Sequence, residues 1–161
     1  MKRFVLILFS CLVWLLLTWA FDWQHLAIGI VVSVLVGFIF GDLFVKEPAR
    51  VFELKRWFWF LVYIPIFLRE LIKANLDVAY RVIHPRMPIK PGIVKVKTRI
   101  QSDMGRVFLA NSITLTPGTF TIDMKDDVLY IHWINVRHTD VQRASEDIVG
   151  VFESLLIKIF D

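Results

Sequence analysis

The first 45 residues contain two long apolar runs separated by a short polar turn. The runs are "FVLILFSCLVWLLLTWAF" at residues 4–21 and "LAIGIVVSVLVGFIFGDLFV" at residues 26–45, with only "DWQH" between them. A helix that crosses a bilayer needs about 20 mostly apolar residues, so both runs are long enough or nearly so. Because a second apolar run follows at once, a retained helix is favoured over a cleaved signal peptide. Residues 1–45 are therefore predicted to form a transmembrane helical hairpin.

The next segment, residues 46–84, is predicted to be a basic connector followed by an amphipathic helix. Its apolar part, residues 57–68, would span only about 18 Å as a helix, against a hydrocarbon core of about 30 Å. Pro65 should kink this helix. An interfacial helix is favoured, and a third membrane crossing is the alternative. The charged face holds Glu70, Lys73, Asp77 and Arg81, and the opposite face holds Leu68, Ile72, Ala79 and Ile83.

The prolines of "HPRMPIKPG" mark a linker over residues 85–92. Alternating side chains then predict a strand in which Ile93, Val94 and Val96 face away from Lys95, Lys97 and Arg99. A helix should begin at the N-cap Ser102, followed by Asp103 in its first turn. The apolar stripe expected for this helix consists of Met104, Val107, Phe108 and Ile113.

The tract "ANSITLTPGT" at residues 110–119 is predicted to turn this helix into a strand. Pro117 prevents the helix from continuing, and Gly118 suits a turn position with positive φ. The hydroxyl and amide side chains can bond backbone groups and compete with the helical ladder. The residues expected to form the corner are Asn111, Ser112, Thr114, Thr116, Pro117, Gly118 and Thr119.

Beyond this corner, strands are expected at residues 119–123 and 128–136, with a turn at 125–127. A capping box of Thr139 and Gln142 should open a final helix. The resulting β-α-β-β-α order over residues 93–161 predicts a small cytoplasmic ferredoxin-like domain that lacks its last strand. About 70 residues form a marginal core, so we expect this domain to rest on the amphipathic helix or on other subunits.

Four small residues recur every four positions in the second apolar run: Gly29, Ser33, Gly37 and Gly41. Such a strip lets another helix approach closely. The partner could be the first helix, another copy of the chain or a different protein. The strip predicts a helix-packing site through which the hairpin docks.

Charge divides the chain further. Residues 46–106 hold 13 Lys and Arg against five Asp and Glu, whereas residues 107–161 hold four against eight. Lys2 and Arg3 precede the first apolar run, and the turn between the runs has no Lys or Arg, so both ends of the hairpin are expected in the cytoplasm. The basic band predicts contact with anionic lipid headgroups rather than with nucleic acid.

Candidate chemistry is sparse. Within the two apolar runs, the hydroxyl side chains are those of Ser10, Thr18 and Ser33. No ionisable group lies near the membrane midplane, so the chain alone has no ion pathway. Cys11 is the single cysteine, and the histidines lack metal-ligand spacing. No nucleophile and base are paired in sequence. We therefore expect no enzyme activity, metal or cofactor.

The tracts "IPIFLRELIKANLDVAYRV" (64–82) and "ANSITLTPGTFTID" (110–123) resemble the E subunit of the multisubunit Mrp-type cation/proton antiporters, also called Mnh or Pha. The resemblance implies a component of a bacterial inner-membrane complex that exchanges Na⁺, or K⁺ in the Pha type, for H⁺. It implies an assembly role, since larger antiporter-like subunits are held to move the ions. The seven corner residues carry over as a structural motif. The alternative is a freestanding, membrane-tethered ferredoxin-like binding module, and the cation is left open.

Overall fold

The computed structural model describes residues 2–44 and 53–161, apart from the side chains of residues 42–44. The chain divides into two compact units, Met1–Glu53 and Leu54–Asp161. Lys46 and Arg50, which belong to the predicted basic band, and Val45 at the end of the second apolar run lie outside the described residues.

The first unit is a pair of helices, α1 (Lys2–Thr18) and α2 (Trp23–Phe44). Asp22 caps α2, because its Oδ1 accepts from the backbone N–H groups of Gln24 and His25 at 3.2 and 3.1 Å. Trp14 Nε1 donates to the carbonyl of His25 at 3.1 Å and ties the end of α1 to the start of α2. Within the described residues, Trp23–Gly41 of α2 is the one segment long and apolar enough, by length and composition, to cross a membrane.

The second unit begins with the 30-residue helix α3 (Leu54–Ile83), which contains Pro65 without being divided by it. It continues with β1 (Gly92–Lys97), α4 (Asp103–Leu115), β2 (Thr119–Lys125), β3 (Val128–Trp133), α5 (Val141–Ile148) and α6 (Gly150–Phe160). The strands form an antiparallel sheet in the order β1-β3-β2, with Val94 and Thr121 both paired to Ile131. The chain is thus a mixed helical and sheet protein with a small antiparallel sheet.

One apolar core joins α3 to the sheet domain. The inward face of the sheet, including Val96 and Leu129, packs with Leu109 of α4 and Leu156 of α6. In the same core, the ring of Tyr63 meets that of Phe152 of α6 at a centroid distance of 6.3 Å. The expectation that the small domain rests on the amphipathic helix is confirmed, since the aromatic side of α3 completes its core.

Helix α4 buries only part of the stripe expected, since Ile113 is buried and Phe108 packs against the core. Met104 and Val107 are exposed, whereas Gly105, Leu109, Ser112 and Ile113 are buried. A Cβ on Gly105 would lie 2.7 Å from Ile100 Cγ2 and 3.1 Å from Phe160 Cβ. At Gly105 the neighbouring chain is therefore too close for a side chain, while Leu109 and Ile113 fill the core beside it. On β1, Ile93 likewise lies on the exposed face with Lys95, since Val94 and Val96 occupy the inward positions.

The C-terminal helix also differs from the prediction. Its N-cap is Asp140 rather than Thr139, because the Asp140 carboxylate accepts from the N–H groups of both Gln142 and Arg143 at 3.1 Å. The helix is interrupted at Val149, which separates α5 from α6. The interruption allows Ala144 of α5 and Leu156 of α6 each to reach the core.

Candidate functional site

The end of α4 is joined to α3 by a buried hydrogen bond. Ser112 Oγ lies 2.5 Å from both the Phe108 carbonyl oxygen and Tyr63 Oη. A hydroxyl has one proton, so Ser112 donates to the Phe108 carbonyl while Tyr63 donates to Ser112. Ser112 therefore links the predicted corner to the long helix, a contact that the spacing in sequence did not indicate.

Three threonines complete the corner. Thr114 Oγ1 donates to the Ala110 carbonyl at 2.9 Å and accepts from the backbone N–H of Thr121 on β2 at 3.2 Å. Thr116 and Thr119 Oγ1 both lie within 2.8 Å of the Ile113 carbonyl. The last carbonyls of a helix have no partner within it, so the Thr116 and Thr119 hydroxyls satisfy that of Ile113. Thr114 holds the start of β2 against α4.

Pro117 and Gly118 make the turn itself. Gly118 has φ of +95°, and a Cβ there would lie 3.0 Å from Ile134 Cγ2. Both facts favour glycine. Of the seven predicted corner residues, the structure brings six into or beside this network, whereas Asn111 lies on the exposed side of α4.

The corner forms one wall of a cleft of about 450 Å³, and the charged part of α3 forms the other. Arg81 is 8% exposed, and its guanidinium donates to the Asp77 carboxylate at 2.7 and 3.0 Å and to the Pro88 carbonyl. These hydrogen bonds from Arg81 hold the pKa of Asp77 below its ordinary value. The remaining charges along the cleft have both signs: Glu70, Lys73, Arg137, Glu146 and Asp147.

The orientation of α3 follows from this cleft. Its charged face turns toward the domain, so that the Glu70 side chain is only 16% exposed. The apolar residues Leu68, Ile72 and Ile83 point outward instead. After Phe67 the helix thus buries part of its polar face and exposes the apolar face predicted for it, whereas the aromatic residues before that point pack into the core.

A buried carboxylate stabilises the other end of the domain. Glu153 accepts from Thr98 Oγ1 at 2.9 Å, from the backbone N–H of Arg99 at 2.6 Å and from Arg99 Nη2 at 2.8 Å. Burial favours the neutral acid, but these hydrogen bonds and the charge of Arg99 outweigh it and hold the pKa of Glu153 below its ordinary value. Sequence reasoning missed this residue, although an acid between the core residues Phe152 and Leu155 was a usable signal.

The strip of small residues on α2 faces α1. A Cβ on Gly29 would lie 2.4 Å from Trp14 Cδ1, one on Gly37 would lie 2.2 Å from Ile7 Cγ1, and one on Gly41 would lie 2.6 Å from Arg3 Cγ. Ser33 is 1% exposed. The sequence left three possible partners for this strip: the first helix, another copy of the chain or a different protein. In the structure the first helix, α1, covers these positions. The strip therefore packs α2 against α1.

The part of the chain that the structure describes contains no group of three His, Cys, Asp or Glu side chains placed to hold a metal ion. The geometry is that of a structural corner joined to a long helix, beside a cleft with mixed charge.

The family described as Na⁺/H⁺ ion antiporter subunit matches residues 7–159. The chain belongs to this family. It is 37% identical over 134 residues to the E subunit of the Na⁺/H⁺ antiporter of Alkalihalophilus pseudofirmus, a match that covers 80% of this chain and 84% of that one. It is 34% identical over 147 residues to the corresponding protein of Bacillus subtilis, covering 87% and 92%. The resemblance to the E subunit is confirmed, and with it membrane localisation. The family is not a class of enzymes.

A solved structure is also similar over nearly the whole length. It is a chain of the membrane-bound sulfane sulfur reductase, an archaeal respiratory membrane complex. That chain is 44% identical to this antiporter-family protein, with a TM-score of 0.86, and the match covers 99% of this chain and 100% of that one.

Proposed function

We propose that the protein is an accessory subunit of a membrane complex that exchanges Na⁺ or K⁺ for H⁺, and that it supports assembly without moving ions itself. The observation that carries this proposal is the composition of the hairpin. Between Phe4 and Gly41 the ionisable side chains other than Cys11 are Asp22 and His25, and these two pair with each other at 2.6 Å in the turn. A path for cations or protons requires ionisable or oxygen-rich side chains near the bilayer midplane.

In this proposal α1 and α2 form a transmembrane hairpin with both ends in the cytoplasm. Helix α1 has 17 residues, about 25 Å, which a locally thinned bilayer can accommodate. Helix α3 lies along the cytoplasmic interface of the bacterial inner membrane, near anionic headgroups. The sheet domain is cytoplasmic in this proposal. It is ferredoxin-like, because the β1-β3-β2 order, with α4 as the helical crossover from β1 to β2, is that of a ferredoxin-like sheet without its fourth strand.

The assembly role is supported by the contacts that hold α3 against the sheet domain. Tyr63, Arg56 and the aromatic cluster around Phe152 all fix this helix to the sheet domain. A small folded domain held rigidly to a long helix suits a scaffold between other subunits better than a site of chemistry. The partners in this proposal are the other subunits of the antiporter complex, with no nucleic acid.

Two measurements on the full chain test the proposal. Purified alone and reconstituted into vesicles, the protein should give no pH change driven by a Na⁺ or K⁺ gradient. Purified by a tag from its native membrane in mild detergent, it should bring antiporter-like membrane subunits with it. Ion exchange by the chain alone would contradict the accessory role. Recovery of the chain by itself would favour the freestanding binding module.

A second candidate is a subunit of a respiratory membrane complex, favoured by the 44% identity to the chain of the archaeal sulfane sulfur reductase over 99% of this sequence. The same purification separates the two. Antiporter-like subunits alone would support the stand-alone antiporter, whereas redox subunits in constant ratio would support the respiratory complex.

A further inference from the structure

Helix α3 carries an exposed apolar stripe along its entire length. Six of its residues are between 47% and 81% exposed: Leu61, Leu68, Ile72, Leu76, Tyr80 and Ile83. At about 100° per residue they fall on one side of the helix. The helix has 30 residues and is therefore about 45 Å long. An exposed apolar surface of this extent in a folded unit marks a contact surface.

Cations border this stripe on one side. Lys55, Arg69 and Lys73 fall in one narrow angular sector at about 100° per residue. Arg69 and Lys73 are 78% and 73% exposed, and both reach the carboxylate of Glu70, at 3.9 and 3.3 Å, whose side chain is 16% exposed. The opposite border, with Ile64, Asn75 and Val82, contains no Lys or Arg within α3. The stripe is thus apolar along its centre and positively charged along one edge.

We propose that this face of α3 binds the surface of an anionic bilayer, with the apolar stripe among the acyl chains and Lys55, Arg69 and Lys73 at the lipid phosphates. This inference rests on the proposed function, which places the hairpin in the same membrane. The one-sided row of cations complements a layer of anionic headgroups. A full crossing by α3 would carry the charges from Arg69 to Arg81 into the hydrocarbon core.

Because the charged face of α3 turns inward, one defined face of the helix is presented to the bilayer. The Tyr63–Ser112 hydrogen bond, the Arg56 hydrogen bond to the Ile159 carbonyl and the Phe67–Phe152 contact fix the rotation of α3 about its axis relative to the sheet domain. Because that rotation is fixed, the stripe and its basic edge are presented together. Docking on the bilayer consequently holds the sheet domain on the side of α3 that faces away from the lipid.

The test uses the full-length protein with Cys11→Ser, carrying a spin label at Leu76→Cys. It is reconstituted into vesicles of phosphatidylcholine alone or of phosphatidylcholine with phosphatidylglycerol. We expect the label to be reached by oxygen dissolved in the lipid and shielded from a water-soluble relaxation agent, and to be shielded further when phosphatidylglycerol is present. A cation near an anionic surface contributes about 1 kcal/mol. Each of Lys55→Gln, Arg69→Gln and Lys73→Gln should then lower the ratio of docked to undocked label about fivefold in the anionic vesicles.

The matched control replaces three exposed cations away from this edge, Lys90→Gln, Lys95→Gln and Lys125→Gln, which should leave the ratio unchanged. The inference is overturned if the label at Leu76→Cys contacts water in both lipid mixtures, or if docking is the same with and without phosphatidylglycerol. A second label at Val34→Cys in α2 separates the two failures. If Val34→Cys reports lipid while Leu76→Cys reports water, only the docking of α3 is wrong. If both report water, the proposed membrane hairpin is wrong as well.

Discussion

The hydroxyl of Tyr63 in the middle of α3 lies 2.5 Å from the hydroxyl of Ser112 near the end of α4, and both residues are buried. Ser112 also donates to the Phe108 carbonyl, so the pair extends the backbone hydrogen bonding of α4 to a side chain of α3. Around it, the Tyr63 ring stacks on Phe67 at a centroid distance of 5.8 Å. This polar contact within an aromatic cluster fixes where α3 meets the sheet domain.

The first prediction concerns this pair. Ser112→Ala leaves the buried Tyr63 hydroxyl without its partner and should lower the free energy of unfolding by about 1–3 kcal/mol. Tyr63→Phe leaves Ser112 bonded to the Phe108 carbonyl and should cost about 1 kcal/mol. Thermal unfolding of the full chain in mild detergent measures both. The double variant should cost less than the sum of the two single variants. Tyr80→Phe, on the exposed side of the same helix, is the control and should change little.

The second prediction concerns the corner glycine. At φ of +95°, and with a Cβ that would lie 3.0 Å from Ile134 Cγ2, Gly118 does not tolerate a side chain without strain. Gly118→Ala should destabilise the protein by about 1–3 kcal/mol. The same substitution at Gly150, where the nearest atom to the new Cβ is 4.0 Å away, should be neutral or slightly stabilising because alanine favours helix. Equal unfolding temperatures for the two variants would show that the corner is not constrained.

The third prediction is a dependence of stability on pH. The pKa of Glu153 is lowered in the folded protein, so at acid pH the unfolded chain binds this proton first. The stabilising contribution is therefore complete above the ordinary glutamate pKa of about 4.3 and is lost as pH falls through the lower folded value.

Glu153→Gln should remove that part of the acid sensitivity and should also lower stability at neutral pH, by about 2 kcal/mol, because the hydrogen bonds to a charged acceptor are weakened. The measurement is the unfolding temperature in detergent between pH 3 and 7 (about the range of carboxylate titration). Asp161, whose pKa is lowered as well, will leave some acid sensitivity in the variant. The exposed Glu146→Gln is the control. If the unfolding temperature of Glu153→Gln falls with pH as steeply as that of the wild type, the buried carboxylate is not a source of the acid sensitivity.

The fourth prediction concerns the hairpin. A Cβ on Gly37 would overlap Ile7 Cγ1 at 2.2 Å and approach the Arg3 carbonyl at 3.1 Å, so Gly37→Leu should separate α1 from α2. We expect faster loss of the purified protein in mild detergent and lower recovery of partner subunits, through a deformed hairpin rather than a lost docking site. Ile39→Leu, at a position 68% exposed on α2, should behave like the wild type. Normal recovery and stability of Gly37→Leu would contradict the packing of the strip on α1.

Local chemistry determined much of this structure. The Ser102 cap, the stop at Pro117, the positive φ of Gly118 and the alternation of Val94 and Val96 depend on a residue and its near neighbours, so they could be predicted from the sequence. The family, too, followed from the short tracts at residues 64–82 and 110–123.

Tertiary packing decided the rest, because it depends on which surfaces approach each other. Periodicity showed that α3 is amphipathic but not which face it turns inward, and the Tyr63–Ser112 contact and the aromatic packing on Phe152 decided that. The close approach of α6 at Gly105 set which face of α4 packs inward, so Leu109 and Ile113 are buried while Met104 and Val107 are exposed. Glu153 is a buried hydrogen-bond acceptor because the loop after β1 brings the Thr98 hydroxyl and the Arg99 N–H to it. These donors are 55 and 54 residues away in sequence. A sequence pattern shows the polarity of each side chain. Which other side chain it contacts is decided only when the whole chain has folded.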